Sequence, residues 1–248
     1  MSNKIRLFTV PNVITCFNLL CGCAGIVFAL EGFLLGAMAC VLAAAALDFL
    51  DGFAARLLKA YSPVGVQLDS LADMVSFGTL PAAMLYSAMR GMTPAAEGAY
   101  VLLPFAPFLL TVFSALRLAK FNVDDRQTAS FFGLPTPANA LFFASTSVIC
   151  AGNSLGVWTL LTLILLFSVL LVCEIPMFSF KVKDVFPEKY SLQLVFLLLS
   201  GVMVLLCPLY SVSVFAAFAP IVLLYILLNI MKWMWGKINN IKKNNDKQ

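Results

Sequence analysis

Apolar runs long enough to cross a lipid bilayer recur along this chain, broken by short segments that hold most of its charge. The hydrocarbon core of a bilayer is about 30 Å thick, which a helix crosses in ~20 residues. Reading the apolar windows against charges and turn residues predicts eight helices, near 14–30, 33–57, 66–89, 99–119, 134–151, 156–173, 191–207 and 210–231. Pro135 and Pro137 fall at the start of the fifth, where a first helical turn accepts proline. Of the 248 residues, 62% are hydrophobic and 11% charged, against roughly a quarter charged in soluble domains. The chain is therefore expected to be an all-α, polytopic membrane helix bundle. A single integral membrane domain is expected over 1–235. The Lys- and Asn-rich stretch 236–248 has little to bury and is expected to be an unstructured basic tail on anionic lipid.

Eight crossings put both termini on one side of the membrane. That side collects Lys4, Arg6, Arg56, Lys59, Arg117, Lys120, Arg126, Lys181, Lys183, Lys189, Lys232, Lys237, Lys242, Lys243 and Lys247, leaving Arg90 alone of the 16 bases opposite. The positive-inside rule makes the crowded face cytoplasmic. Lys4 and Arg6 ahead of an apolar stretch resemble the start of a signal peptide, but no small-residue cleavage site follows, so the first span is expected to be retained.

The chain has no histidine. Ser-His-Asp catalysis, phosphohistidine intermediates and His-ligated metals are thereby excluded. Its seven cysteines (Cys16, Cys21, Cys23, Cys40, Cys150, Cys173, Cys207) form no zinc spacing and read as small buried hydrophobes. Carboxylates, Lys, Arg, hydroxyls and thiols remain for any chemistry.

Four carboxylates interrupt the apolar pattern: Asp48 and Asp51 late in the second span, Asp69 and Asp73 early in the third. An aspartate costs roughly 2.5–3.5 kcal/mol at a span centre, so four together need a reason. Spacings of three and four residues place each pair on one helix face. The connection Tyr61-Ser62-Pro63-Val64-Gly65 is short, which predicts antiparallel neighbouring helices with the two pairs at matching depth. Carboxylates so gathered stay ionised together only when a cation neutralises them. An all-oxygen cluster suits Mg²⁺ or Mn²⁺. Arg56 and Lys59 are near enough to pair with some of the acids, but two bases do not neutralise four.

The region reads Asp48-x₂-Asp51-Gly52-x₂-Ala55-Arg56-x₈-Gly65-x₃-Asp69-x₃-Asp73. At every specified position it resembles the signature of the CDP-alcohol phosphotransferase family. The resemblance implies an enzyme that moves a substituted phosphoryl group from a CDP-linked donor to an alcohol and releases CMP. Such a transfer rests on charge neutralisation and in-line positioning. Two divalent ions on Asp48, Asp51, Asp69 and Asp73 suit it. Asp73 would double as general base. Gly52 and Gly65 would let the CDP-lipid approach helix backbone, Ala55 would keep that face small, and Arg56 would offer a planar fork to phosphate. Pro11-Asn12-Val13-Ile14-Thr15 is similar to the family's amino-terminal segment, and leaves Asn12 and Thr15 as either helix caps or CDP-lipid contacts. The family fold further implies a homodimer with a polar cavity open to the cytoplasm.

Three further segments resemble the branch of the family whose donor is CDP-diacylglycerol and whose acceptor is L-serine. They are Thr15-x₂-Asn18-Leu19-x₂-Gly22, Asp69 through Gly78, and Leu116-Arg117-Leu118-Ala119-Lys120-Phe121-Asn122 with Gly133-Leu134-Pro135-Thr136-Pro137-Ala138. Asn139 and Lys120 depart from that pattern. A zwitterionic acceptor needs a cation for its carboxylate, and Arg117 and Lys120 are the candidates, with positive-inside anchoring as their ordinary alternative. Another head group (glycerol 3-phosphate, inositol phosphate or choline) remains open, as does a divalent-cation transporter built on the same acids. Membrane lipids are expected partners; nucleic acid is not.

Overall fold

The computed structural model describes residues 7–92, 98–124, 131–150, 155–177, 191–209 and 213–245. Lys4, Arg6, Arg126, Lys181, Lys183, Lys189 and Lys247, which carry much of the charge asymmetry read above, lie outside them. The described chain is helical almost throughout. Its helices are α1 (Val10–Leu30), α2 (Leu34–Leu57), α3 (Pro63–Asp73), α4 (Leu80–Met92), α5 (Phe108–Val123), α6 (Thr136–Cys150), α7 (Val157–Val172), α8 (Ser191–Leu209) and α9 (Phe218–Asn245). A π-helical stretch, Met74–Thr79, joins α3 to α4 without a break, and 3₁₀ turns at Gly98–Phe105 and Val214–Ala217 lead towards α5 and α9. These make eight helical runs among the described residues, each over one of the expected spans. Helix is the form that satisfies every backbone amide within its own segment, as lipid demands.

Four of the runs (Val10–Leu30, Leu34–Leu57, Tyr100–Val123 and Val214–Trp235) are long and apolar enough to cross a membrane. Others fall short for visible reasons. The α3 run carries Asp69 and Asp73, and α6, at 15 residues, buries Ser145, Thr146 and Ser147. The bundle is apolar outside, and polar side chains are set into a largely apolar interior. Leu20, Phe49, Phe53, Leu102, Leu165 and Leu205 are exposed, while Asn18, Ser76, Ser114, Thr136 and Asn139 are buried. Exposed apolar surface on this scale fits a lipid solvent and not water. The chain is an integral membrane protein.

The amino-terminal helix holds the catalytic half together. It packs along α2 and against α3, the π segment and α4. Small residues permit this closeness. A Cβ on Gly22 would lie 2.5 Å from Ser76 Oγ and 3.0 Å from Ser76 Cα, and one on Gly25 would lie 2.8 Å from Cys40 Cβ. Gly22→Val should lower stability by ~1–3 kcal/mol through overpacking, read as a lower midpoint of thermal unfolding in detergent. An unchanged midpoint would show that α1 does not need to sit so close.

Four details go beyond or against expectation. First, α2 and α3 meet at their carboxylates but pack little backbone to backbone, and both rest on α1. Second, the all-α bundle also carries one short strand pair, Phe131–Phe132 antiparallel with Pro176–Met177. This two-residue ladder pins the chain ahead of α6, and Gly133 (φ +79°) turns there where a Cβ would lie 2.6 Å from Leu171 O. Third, the tail expected to be unstructured from 236 is helical as far as Asn245. Helix propagates cooperatively from the apolar part of α9, and Lys237 Nζ sits 4.2 Å above the Trp233 ring one turn back. Fourth, Cys16 and Cys23 are exposed on α1 and not buried; all seven thiols are free.

Candidate active site

Because α1 wedges α2 and α3 apart, a cavity opens between their ends. Pro11, Asn12 and Thr15 of α1 line it, with Asp51, Gly52 and Ala55 of α2, Ala60–Ser62 of the connection, and Gly65, Val66 and Asp69 of α3. Capping fixes where each helix begins. Thr9 caps α1, accepting from Asn12 N, and Ser62 caps α3, accepting from Gly65 N at 3.0 Å; a proline follows each cap in the first turn. Asn12 is therefore not the cap. Its amide nitrogen donates to Leu7 O at 2.8 Å, and its oxygen faces Gly65, where a Cβ would come within 3.0 Å. Around Gly52 a Cβ would meet nothing within 4 Å, so that glycine opens on free space. The cavity holds about 130 Å³, roughly four waters' share of liquid volume. That admits a diphosphate and its counter-ions but not a whole nucleotide-lipid, whose ends must lie outside.

Two carboxylates that line the cavity, Asp51 and Asp69, converge with a third, Asp48, beside it. One oxygen each from Asp48, Asp51 and Asp69 lies within 4.8 Å of the others. Thr15 Oγ1 is 2.6 Å from Asp51 Oδ2 and 3.0 Å from Pro11 O. Its single proton serves the carboxylate, the closer and charged acceptor. Thr15 thus orients a carboxylate and caps nothing. Thr15→Val should slow CMP release about tenfold, the equivalent of ~1.4 kcal/mol, from loss of a hydrogen bond to a charged group. Steady-state rates with both substrates saturating would check this.

Asp73 stands one turn beyond Asp69 and is buried, 8% exposed, with Oδ1 unpartnered among the described residues. It lies within electrostatic reach of the three other carboxylates and of Arg117. The π segment begins at the next residue. Its wider turn re-aims the chain at this point, a common feature of functional sites. Ser76 Oγ donates to Asn18 O at 3.1 Å, and Thr111 Oγ1 donates to Gly78 O at 3.1 Å, so α1 and α5 clasp it from two sides. Arg117 is buried and donates from Nη1 to Thr136 Oγ1 at 2.7 Å.

Two of the sequence candidates stand apart from this cluster. Arg56 is exposed and does not line the cavity. Lys120 pairs at the surface with Glu174 Oε1 at 3.4 Å; it lies nearly a turn beyond Arg117, at the end of α5. Ser62, Ser76 and Thr136 went unnoticed as site residues. Ser62 and Thr136 stood beside Pro63 and Pro137, the signal for a capped helix start. Ser76 had no signal, since only the packing of α1 on the π segment gives it a partner.

The donor set suits a divalent cation. The ligand atoms are all oxygens, they come from two helices, and Asp69 Oδ1 is buried without a partner among the described residues. Hard cations of the Mg²⁺ kind bind oxygens at about 2.1 Å, so oxygens spaced as here close round one ion with little movement.

A membrane helix bundle that gathers aspartates from two helices beside a glycine-lined cavity is the arrangement that the motif's resemblance to the CDP-alcohol phosphotransferases implies. The chain matches the model of the CDP-alcohol phosphatidyltransferase family over residues 8–173, and it belongs to that family. Within it, the chain is 35% identical over 215 residues to the CDP-diacylglycerol–serine O-phosphatidyltransferase of Mycobacterium leprae (strain TN), covering 82% of this chain and 69% of that one. It is 31% identical over 258 residues to the protein of that name from Helicobacter pylori (strain ATCC 700392 / 26695), covering 96% and 97%. With that of Bacillus subtilis (strain 168) it shares 36% over 132 residues, covering 52% and 69%. Membership of a transferase family sets aside the transporter alternative that the carboxylates alone left open.

Proposed function

We propose that this enzyme transfers the phosphatidyl group of CDP-diacylglycerol to L-serine, giving phosphatidylserine and CMP. The observation that carries the reading is the convergence of Asp48, Asp51 and Asp69 beside the cavity, with Asp73 one turn deeper. The names of the relatives supply the substrates. In the reaction the serine hydroxyl oxygen forms a bond to the phosphorus that bears diacylglycerol. The bond from that phosphorus to the bridging oxygen breaks, and CMP leaves with the electron pair. The hydroxyl proton passes to Asp73, whose unpartnered Oδ1 has a free lone pair to receive it.

Asp48, Asp51, Asp69 and Asp73 would hold two Mg²⁺ or Mn²⁺ ions, which when bound supply positive charge against the diphosphate. Thr15 fixes Asp51, and Gly52 and Gly65 leave room for the donor's phosphates beside helix backbone. Asn12 meets the nucleotide at the cavity rim, and Arg56, outside the cavity, meets the part of the donor that projects from it. Arg117 receives the serine carboxylate, and its burial beside Asp73 favours it over Lys120, which Glu174 already engages. The site opens to the cytoplasm of a bacterial cell, with both termini on that side, and the enzyme works as a homodimer. Residues 1–235 form the catalytic unit, and the basic end of α9 lies along anionic lipid.

The deciding measurement is CMP release by purified enzyme with CDP-diacylglycerol and, in turn, L-serine, glycerol 3-phosphate, inositol phosphate and choline. Serine alone should support turnover. Faster release with another alcohol would replace serine as the acceptor, and no release with any would remove the transferase reading.

A further inference from the structure

The bundle satisfies most of its interior polar groups in an ordinary way. Thr146 and Ser147 each turn back onto a carbonyl of their own helix at 2.7 Å, and the buried Asn229 donates to Tyr225 O at 2.7 Å. Two asparagines are treated differently. Asn18 on α1 and Asn139 on α6 are both 0% exposed, and neither the oxygen nor the nitrogen of either amide has a partner among the described residues. A buried amide without partners has lost its hydration for nothing in return, so a ligand is expected to fill the gap.

Their surroundings say which ligand. Both α1 and α6 pack on the π segment that follows Asp73. Asn18 is anchored there, since its own carbonyl accepts from Ser76 Oγ at 3.1 Å. It lies one turn past Thr15, the residue that holds Asp51. Asn139 follows one turn after Thr136, the residue that holds Arg117. Beside the carboxylate cluster that holds Asp69 Oδ1, further buried atoms of this region without a partner among the described residues are Arg117 Nε, Asp73 Oδ1 and the Ser114 hydroxyl one turn before Arg117. Outside that cluster the region therefore offers one carboxylate, one guanidinium, one hydroxyl and two neutral amides, each amide with two donors and a carbonyl acceptor. This set has no net charge. It matches a small zwitterion, with amide oxygens for an ammonium, amide N–H groups beside Arg117 for a carboxylate, and Asp73 left for the hydroxyl. A phosphorylated alcohol would bring two negative charges to a single buried cation.

We propose that Asn18 and Asn139 are specificity-determining residues that read the ammonium and carboxylate of the acceptor amino acid. This rests on the transferase reading above and adds to it the groups that choose the alcohol. The test uses the full-length enzyme with Asn18→Ala and Asn139→Ala, and Asn229→Ala as the paired-amide control. For each, KM is measured for L-serine and for CDP-diacylglycerol, together with the thermal midpoint and turnover with ethanolamine, which lacks the carboxylate. Loss of a hydrogen bond to a charged group should raise the serine KM about tenfold or more in both site variants. The CDP-diacylglycerol KM should stay within about twofold, and the preference for serine over ethanolamine should narrow. The midpoint should hold or rise, since no described residue loses a partner, whereas Asn229→Ala should lower it and leave the serine KM alone. An unchanged serine KM, or an equal rise for both substrates, overturns the proposal. So does a variant that loses its fold, because that would reveal a protein partner for the amide. If wild-type enzyme uses a different alcohol, the serine assignment fails separately. The amide pair is then judged on the KM for that alcohol, where no change overturns it.

Discussion

Asp51→Ala should abolish CMP release, by a factor of ~10³ or more, while the purified protein keeps its helix content and thermal midpoint. The size follows from what the side chain does. Asp51 is buried, 5% exposed, shares a 4.8 Å cluster with Asp48 and Asp69, and accepts the Thr15 hydroxyl at 2.6 Å. A cation set against a phosphoryl group is worth several kcal/mol in the transition state, and each 1.36 kcal/mol is tenfold in rate. Retention of the fold follows from the opposite side of the same balance. A carboxylate within a membrane bundle is a cost to insertion, and three of one sign together repel. Removing one leaves the bundle with less to offset. Asp51→Asn, which keeps the shape and loses the charge, should be nearly as inactive, and chelation of divalent ions should reproduce the loss in the wild type. Turnover within tenfold of wild type in either variant would show that the charge is dispensable and that the cluster serves packing. A collapse of the thermal midpoint would show that the acids hold the helices together.

The carboxylate cluster was legible in the sequence because it violates the medium. Aspartates are rare inside apolar spans, and spacings of three and four residues put them on one face, so Asp48, Asp51 and Asp69 declared themselves. Their means of convergence did not. The short connection after α2 suggested two helices lying side by side, yet α3 leans on α1, and the cavity exists because of that gap. Nothing local encodes this. It depends on Gly22 and Gly25 admitting Ser76 and Leu80 across the interface, a contact between residues more than fifty positions apart. The π segment was illegible for the same reason, since the weak helix formers of Met74–Thr79 do not by themselves distinguish a widened turn from an α-helical one. Lys120 shows the limit of reading charge from spacing. It and Arg117 looked equivalent at one helix end, but only the fold brings Glu174 to one and Thr136 to the other. The end of α9 erred in the other direction, because polar composition concealed a helix that its apolar half had already nucleated.

Arg117→Ala should lower kcat/KM for serine about a hundredfold while the KM for CDP-diacylglycerol moves less than about twofold. The guanidinium is buried, tied by Nη1 to Thr136 Oγ1 at 2.7 Å, and within electrostatic reach of Asp73. Its Nε has no partner among the described residues. A hydrogen bond between charged groups contributes ~1.5–3 kcal/mol, which spans roughly ten- to a hundredfold, and a paired fork lies at the upper end. Arg117→Lys should recover only part of the loss, since an ammonium cannot hold Thr136 and a carboxylate in one plane as a guanidinium does. Thr136→Val should cost less than either, about tenfold, because it loosens the arginine without removing the charge. That ordering separates an acceptor contact from the two alternatives. If Arg117 only anchored a helix end at a charged membrane face, Arg117→Lys would be silent and Thr136→Val would not matter. If it served the donor's phosphates, KM for CDP-diacylglycerol would rise with that for serine. A serine-selective loss graded as Ala, then Lys, then Thr136→Val is the pattern that a buried, pre-oriented carboxylate receptor produces.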